Sequence, residues 1–402
     1  MFKQVTHTLV ALITISFMIS VAHADRRTSL GGNMLIKDRD DTFVYPQLAV
    51  KYNRSISMDF GAQAGFGNAM LIAGPNKKSA IGIALNRGDS VQPIGDGSYV
   101  TSPELGMIDG SVLSLDYHTQ DSVTPPTIAD IFYAMKMGKN KLGFRLGFVN
   151  RSASQVNDGD PVGSNGVFGF RLSAGYSIGK KGDFVFDISN VSGKILQGKD
   201  EDEVEDASVM NIHLGGRYYI PQGKGFKLGT LFDFNMANVA GKQYSVDIGK
   251  PENSTSTIAV RAGVGPVYRN KEKKYTVAMH AHLGFISKNE EPSSEVKDDE
   301  IATTTILFPG FNMAMEYQIR DWLVFRSSAS YNHVIKSSEE VNKTVSNDNG
   351  NSEFGWNAGL GFLMENIRID GTLSHGFVTA GPQFMGGNAQ GLFSLVSATA
   401  KF

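Results

Sequence analysis

The sequence predicts an all-β protein: a transmembrane antiparallel β-barrel of about fourteen strands, sixteen on the alternative count, with a short N-terminal plug segment. Three observations predict it. Segments of about ten residues alternate apolar with polar or small side chains, the period of a strand with one lipid face and one lumen face. Between those segments, short turns alternate with long polar stretches, the layout of a bacterial outer-membrane barrel. After residue 24 no long uncharged apolar run occurs. That excludes a helical membrane protein and leaves an exported soluble chain or a closed barrel.

Composition agrees. The 402 residues include 45 glycines, 25 phenylalanines and 13 tyrosines but only 13 prolines, a balance that favours strands over helices. The absence of cysteine excludes disulfides, thiolate metal sites and cysteine nucleophiles. A formal net charge of −2 gives no bulk attraction to nucleic acid, so none is expected as a partner.

The elements follow in chain order. "MFKQVTHT" carries Lys3 and no acid, "LVALITISFMISV" (9–21) is a short apolar run, and Ala22-His23-Ala24 offers small residues to a signal peptidase. Residues 1–24 therefore read as a secretory signal peptide cut before Asp25, since the apolar run is short for a spanning helix. Residues 25–52 form a plug or hatch segment ahead of the wall, and 53–402 the outer-membrane barrel.

The wall is clearest in "KLGFRLGFVN" from Lys141 and "VFGFRLSAGYSI" from Val167, where every second residue is apolar. The pattern returns in "VMNIHLGGRYYI", "FKLGTLFDFNM", "TIAVRAGVGPVY" and "EFGWNAGLGFLM". Short turns are expected at 138–140, 179–183, 221–225, 269–273, 320–321 and 365–366, and long loops at 150–165, 191–206, 237–256, 287–303, 334–353 and 377–390. Six turns join twelve strands; the last strand (391–402) and "SAIGIALNR" (79–87) make fourteen. If "SISMDFGAQ" (55–63) and "NAMLIAG" (68–74) join the wall, with "PNKK" as a further turn, the count is sixteen. Residues 88–127 read as one external loop, in which 111–119 is a candidate hairpin arm. The closing "LVSATAKF" alternates to Phe402, which suits an interface girdle at the periplasmic rim. It resembles the C-terminal signal read by the barrel assembly machinery.

With apolar faces toward lipid, the inward charges are Arg145, Arg171, Arg217, Arg261, Arg326, Arg368, Lys227, Asp187, Asp233, Glu316 and Asp370. Charge at the bilayer midplane costs about 2–4 kcal/mol, so these line the lumen. They form either an internal ion-pair network or a lining that steers solutes. His280 and His282 also share the inward face and read as polar lining, since no third ligand has matching spacing. No metal, cofactor or enzymatic activity is expected: a barrel hydrolase needs a base near a nucleophile, and no G-x-S-x-G occurs. The acidic runs 199–206 and 290–300 read as solvated loops, with an adhesive or cation-bridging barrel as the alternative they raise.

"SLGGNMLIKDRDDTFVYPQL" (29–48) and "PTIADIFYAMKMGKNKLGFRLGF" (126–148) resemble segments of the long-chain fatty-acid transporter family (FadL/TodX). The matching plug positions are Gly31 and Gly32, then Asp38, Asp40 and Asp41, then Pro46; Tyr45 and Gln47 stand where the family has Asn and Ala. The resemblance implies a hatch inside the lumen, facing the inward arginines, and diffusion of hydrophobic molecules. The expectation is an outer-membrane channel of a Gram-negative cell for passive uptake of small solutes. A general diffusion porin and a structural barrel working through its loops remain open. Its other expected partners are outer-membrane lipid and lipopolysaccharide.

Overall fold

The computed structural model describes residues 26–60, 68–85, 128–157, 160–197, 202–243, 252–272, 274–291, 301–340, 346–373 and 393–402. The chain forms sixteen strands: β1 (Ser55–Phe60), β2 (Asn68–Asn76), β3 (Ser79–Leu85), β4 (Ile128–Met137), β5 (Asn140–Asn157), β6 (Asp160–Ile178), β7 (Gly182–Gln197), β8 (Asp202–Gly223), β9 (Phe226–Gln243), β10 (Glu252–Arg269), β11 (Tyr275–Glu291), β12 (Ile301–Arg320), β13 (Leu323–Glu340), β14 (Ser346–Met364), β15 (Ile367–Leu373) and β16 (Phe393–Lys401). Each pairs antiparallel with its sequence neighbours, and β1 pairs with β16 to close the barrel. Closure leaves no strand edge unpaired in lipid, where unpaired N–H and C=O groups are costly. The closing seam ends with the Phe402 N–H donating to Arg54 O at 3.1 Å.

The count is sixteen, the alternative expected above, and not fourteen. The added hairpin β1–β2 is hard to count because β2 is apolar on both faces. Its outward Leu71 is exposed, while its inward Met70 and Ile72 are buried against the N-terminal segment.

The loop limits are corrected too. Residues 150–157 and 160–165, expected in a loop, belong to β5 and β6, and Asp202–Asp206 of the acidic run belong to β8. Likewise β9, β10, β11, β12, β13 and β14 extend well into the stretches read as loops. Strands β5 to β14 hold 16–22 residues, whereas a bilayer needs about 9–11. Beyond the lipid no apolar face is required, so ladder pairing continues through polar sequence. The expected loops 88–127 and 377–390, and the arm at 111–119, lie outside the described residues, as does the expected signal peptide.

Within the bilayer the alternation holds. In β6, Phe170 and Leu172 face out while Ser173 and Gly175 are buried inward. Outward aromatics gather at the short-turn end: Phe226–Tyr268, Tyr268–Tyr275 and Tyr275–Tyr317 ring centroids lie 4.5, 6.2 and 6.1 Å apart, and Trp322 stacks on Phe362 at 6.2 Å. This row is the interfacial girdle on that side.

Leu172 is 49% exposed and pairs with Leu146 and Ile188 about seven residues from the β6–β7 turn. Leu172→Arg should lower folding stability in lipid vesicles by about 2–4 kcal/mol, measured by reversible denaturant unfolding. A change below ~0.5 kcal/mol would place this residue outside the hydrocarbon.

Candidate functional site: the occupied lumen

Ahead of β1 the chain enters the barrel. It forms two single-turn helices, α1 (Arg26–Ser29) and α2 (Asp41–Val44), and a 3-10 helix over Pro46–Tyr52. Gly31 and Gly32 turn it with φ of +56° and +67°. At Gly31 a Cβ would also lie 2.6 Å from Ser328 Oγ of β13, so both backbone conformation and space require glycine. Most of the segment is buried.

Its contacts run around the wall, which only a body in the lumen can achieve. Phe43 meets Phe132 of β4 edge-on at 5.3 Å and joins Met70, Ile72, Ala80 and Ala84 of β2 and β3. Leu30, Leu35 and Ile36 pack on Tyr219, Leu231, Val267, Ala278 and Ala314 of β8 to β12. Ser29 shares a 3.1 Å hydrogen bond with Thr372 of β15. Gln47 lies over inward glycines: a Cβ at Gly143 would come within 2.2 Å of Gln47 N, and one at Gly175 within 1.8 Å of Gln47 Oε1. The small inward residues are thus the floor on which the segment rests.

Charge fixes its position. The wall pairs its own charges first. Arg145 meets Asp130 at 2.7 Å, Arg171 meets Asp187 at 2.6 Å, Arg217 meets Asp183 at 2.9 Å and Arg261 meets Asp233 at 2.8 Å. Arg326 reaches Glu316 and, across β14, Asp370, both at 2.8 Å; Arg368 meets Asp370 at 2.7 Å. The bridge over β14 crosses Gly361, where a Cβ would lie 2.4 Å from the Arg326 guanidinium. Lys227 lies at the short-turn rim, its ammonium 5.6 Å from the Tyr219 ring centroid.

The segment then adds pairs in both directions. Asp41 accepts from Arg217 at 2.5 Å, Lys37 meets Asp183 at 2.7 Å, and Arg26 grips Glu316 at 2.6 and 3.0 Å. Of the three acids expected to meet wall arginines, Asp41 meets Arg217. Asp38 pairs inside the segment with Arg26 at 2.8 Å, and Asp40 with Arg39 at 3.3 Å. Arg217, fully buried, also donates to Met34 O at 2.6 Å and lies 4.6 Å from the Tyr45 ring centroid. Asp38 is held well below the usual carboxylate range: Arg26 and Arg27 outweigh its burial. Burial pushes Lys37 down to about 8, aided by Arg217 and opposed by Asp183.

Asp130 and Asp183 are two wall acids that the sequence reading misses. Both carry the inward parity of their strands, Asp130 with Phe132 and Asp183 with Asp187. Asp183 falls at the end of the stretch expected as a turn, and the structure places it on β7. The segment's Arg26, Lys37 and Arg39 carry no periodic signal.

On the short-turn side a cavity of about 500 Å³ opens between segment and wall, lined by Arg26, Lys37, Arg39, Glu316, Arg368 and Thr399 among others. His280 and His282 lie further from that end, buried on β11. Among the described residues no three His, Cys, Asp or Glu side chains converge as metal ligands.

No family model and no curated protein matches the chain. Among solved structures it is similar to the translocator domain of autotransporter NalP from Neisseria meningitidis, with 10% identity over 66% of this chain and 90% of that one and a TM-score of 0.33. It is similar to the toluene transporter TodX of Pseudomonas putida, with 9% identity over 90% and 91% and a TM-score of 0.33. It is also similar to the hemophore receptor HasR of Serratia marcescens, with 8% identity over 79% and 62% and a TM-score of 0.38. Likeness at this level carries no argument about this chain; its barrel rests on its own strand pairing.

The Lys37 shift makes a signed pH prediction. Undocked, the ammonium returns to its ordinary value of 10.5, so between pH 8 and 10.5 the undocked state binds more protons. Docking should therefore strengthen with rising pH by up to ~1.4 kcal/mol per unit. Hydrogen exchange of residues 26–52, corrected for intrinsic rates, measures this, and Lys37→Met should remove that share of the slope. Docking that weakens from pH 8 to 10 in the parent but not in Lys37→Met would reverse the assigned sign.

Proposed function

We propose that the chain is an outer-membrane channel for passive uptake of small solutes, with residues 26–52 acting as a plug in its lumen. The observation that carries this reading is the way charge is shared. The wall arginines keep carboxylate partners on the wall itself, so the barrel does not need the segment to neutralise its interior. The segment is added to that wall through Arg26, Lys37 and Asp41. A body that is anchored in a lumen yet not required by the wall obstructs a path. In this reading the short turns face the periplasm and the plug occupies that half of the lumen.

For the solute class the reading is hydrophobic molecules. Ala259, Ile286, Leu307 and Val334 form an apolar inward cluster on β10 to β13, which suits hydrophobic solutes. Flux into liposomes of hydrophobic probes against sugars separates this reading from a general diffusion porin, which would pass sugars readily.

Deleting residues 27–46 with the signal peptide retained tests the plug. The wall's hydrogen bonds do not run through the segment, so heat-modifiable gel mobility should report a folded barrel. Single-channel conductance in planar bilayers should rise several-fold. A folded deletion variant with the conductance of the parent would mean the segment does not obstruct the path.

A further inference from the structure

We propose that His280 and His282, two residues apart on β11, form a two-imidazole site for a divalent late first-row metal ion, copper or zinc, in the lumen just beyond the plug. The site stands whichever solute the channel carries.

Alternation along β11 turns both rings to the same side. Both side chains are 5% exposed, and their ring centroids lie 5.4 Å apart at 45°. A metal ~2.1 Å from a ring nitrogen lies ~3.2 Å from that ring's centroid. Two rings on one ion can therefore have centroids up to ~6.4 Å apart, and the observed spacing falls inside that limit.

The ring nitrogens carry the second observation. The His282 ring lies over Gly310, where a Cβ would come within 2.3 Å of Nε2. Passing over that glycine, Nε2–H donates to Asn332 Oδ1 on β13 at 3.0 Å. With the proton held there, the lone pair resides on Nδ1. A hydrogen bond from one ring nitrogen that fixes the other as donor atom is how ligating histidines are oriented. The Nδ1 atoms of both His280 and His282 are buried without a protein partner. A buried ring nitrogen left in that state is costly, and a metal ion would satisfy both once His280 takes the tautomer with its lone pair on Nδ1.

The Arg261 guanidinium works against a cation at the rings, and Asp233 offsets it. Arg261, diagonal to His282 across the β10–β11 ladder, pairs with Asp233 on the far side at 2.8 Å, and His213 meets the same carboxylate at 3.4 Å. No carboxylate ligates, so Ca²⁺ and Mg²⁺, which need oxygen ligands, are disfavoured, while imidazole suits copper and zinc.

The test uses full-length protein in detergent micelles carrying no polyhistidine tag. Calorimetric titration with Cu²⁺ and with Zn²⁺ should show one ion per chain, and the Cu²⁺ EPR spectrum should show hyperfine coupling to two imidazole nitrogens. His280→Gln and His282→Gln should each weaken binding by ~10-fold or more. Asn332→Ala, a positioning change, should weaken it by about 10-fold while keeping the two-nitrogen spectrum. Should a variant fail to fold by gel mobility, carbethoxylation of the parent protein mapped by mass spectrometry decides: the metal should protect His280 and His282 together. Absence of binding, leaving a water-filled pair only, would overturn the proposal. So would equal binding by parent and folded variants, or protection confined to other histidines.

Discussion

A charge turned into the lumen must find its opposite there, and much of this structure follows from that requirement. The alternation that points leucine and phenylalanine at lipid sends every polar residue of the same strand inward. Arginine guanidiniums then face a space where desolvation is expensive unless a carboxylate is at hand. The barrel supplies carboxylates from neighbouring strands, directly opposite for Arg217, Arg261 and Arg326 and diagonally for Arg145 and Arg171. These pairs tie neighbouring strands together on the inner surface, as ladder hydrogen bonds do in the wall.

The N-terminal segment uses the same currency with a different geometry. Its charges are not periodic, because its path of single turns follows no strand or helix rule. Its apolar residues nevertheless find apolar places, since Phe132, Leu231 and Ala314 face inward beneath it. Inward glycines supply the depth: where Gln47 rests on Gly143 and Gly175, any side chain on the wall would lift it. Burial of apolar surface holds the segment against the wall. The ion pairs Lys37–Asp183 and Asp41–Arg217 fix its register, because a displaced segment would forfeit both.

The sequence made the wall legible because lipid enforces period two over about ten residues per strand. The six inward arginines and their parity follow from that rule alone. It fails in two places, each for a physical reason. Past the bilayer, strands such as β5 and β8 continue with no apolar face, so their ends read as loops. In β2, Met70 and Ile72 face the packed N-terminal segment instead of water, which erases the alternation and hides a hairpin. The acids Asp38, Asp40 and Asp41 stand out as a patch, but their partners do not. Pairing Asp41 with Arg217, 176 positions away, is decided by the folded lumen and by no local pattern.

The central claim is that residues 26–52 dock inside the folded barrel in one fixed register. The absence of cysteine allows a direct measurement. Ser29 and Thr372 place their hydroxyl oxygens 3.1 Å apart, within reach of a disulfide once both are replaced. The double variant Ser29→Cys, Thr372→Cys, folded in vesicles and then oxidised mildly, should yield the linked peptide by mass spectrometry with no free thiol remaining. A folded barrel whose two thiols stay free and unlinked would show that the segment does not occupy the lumen as described.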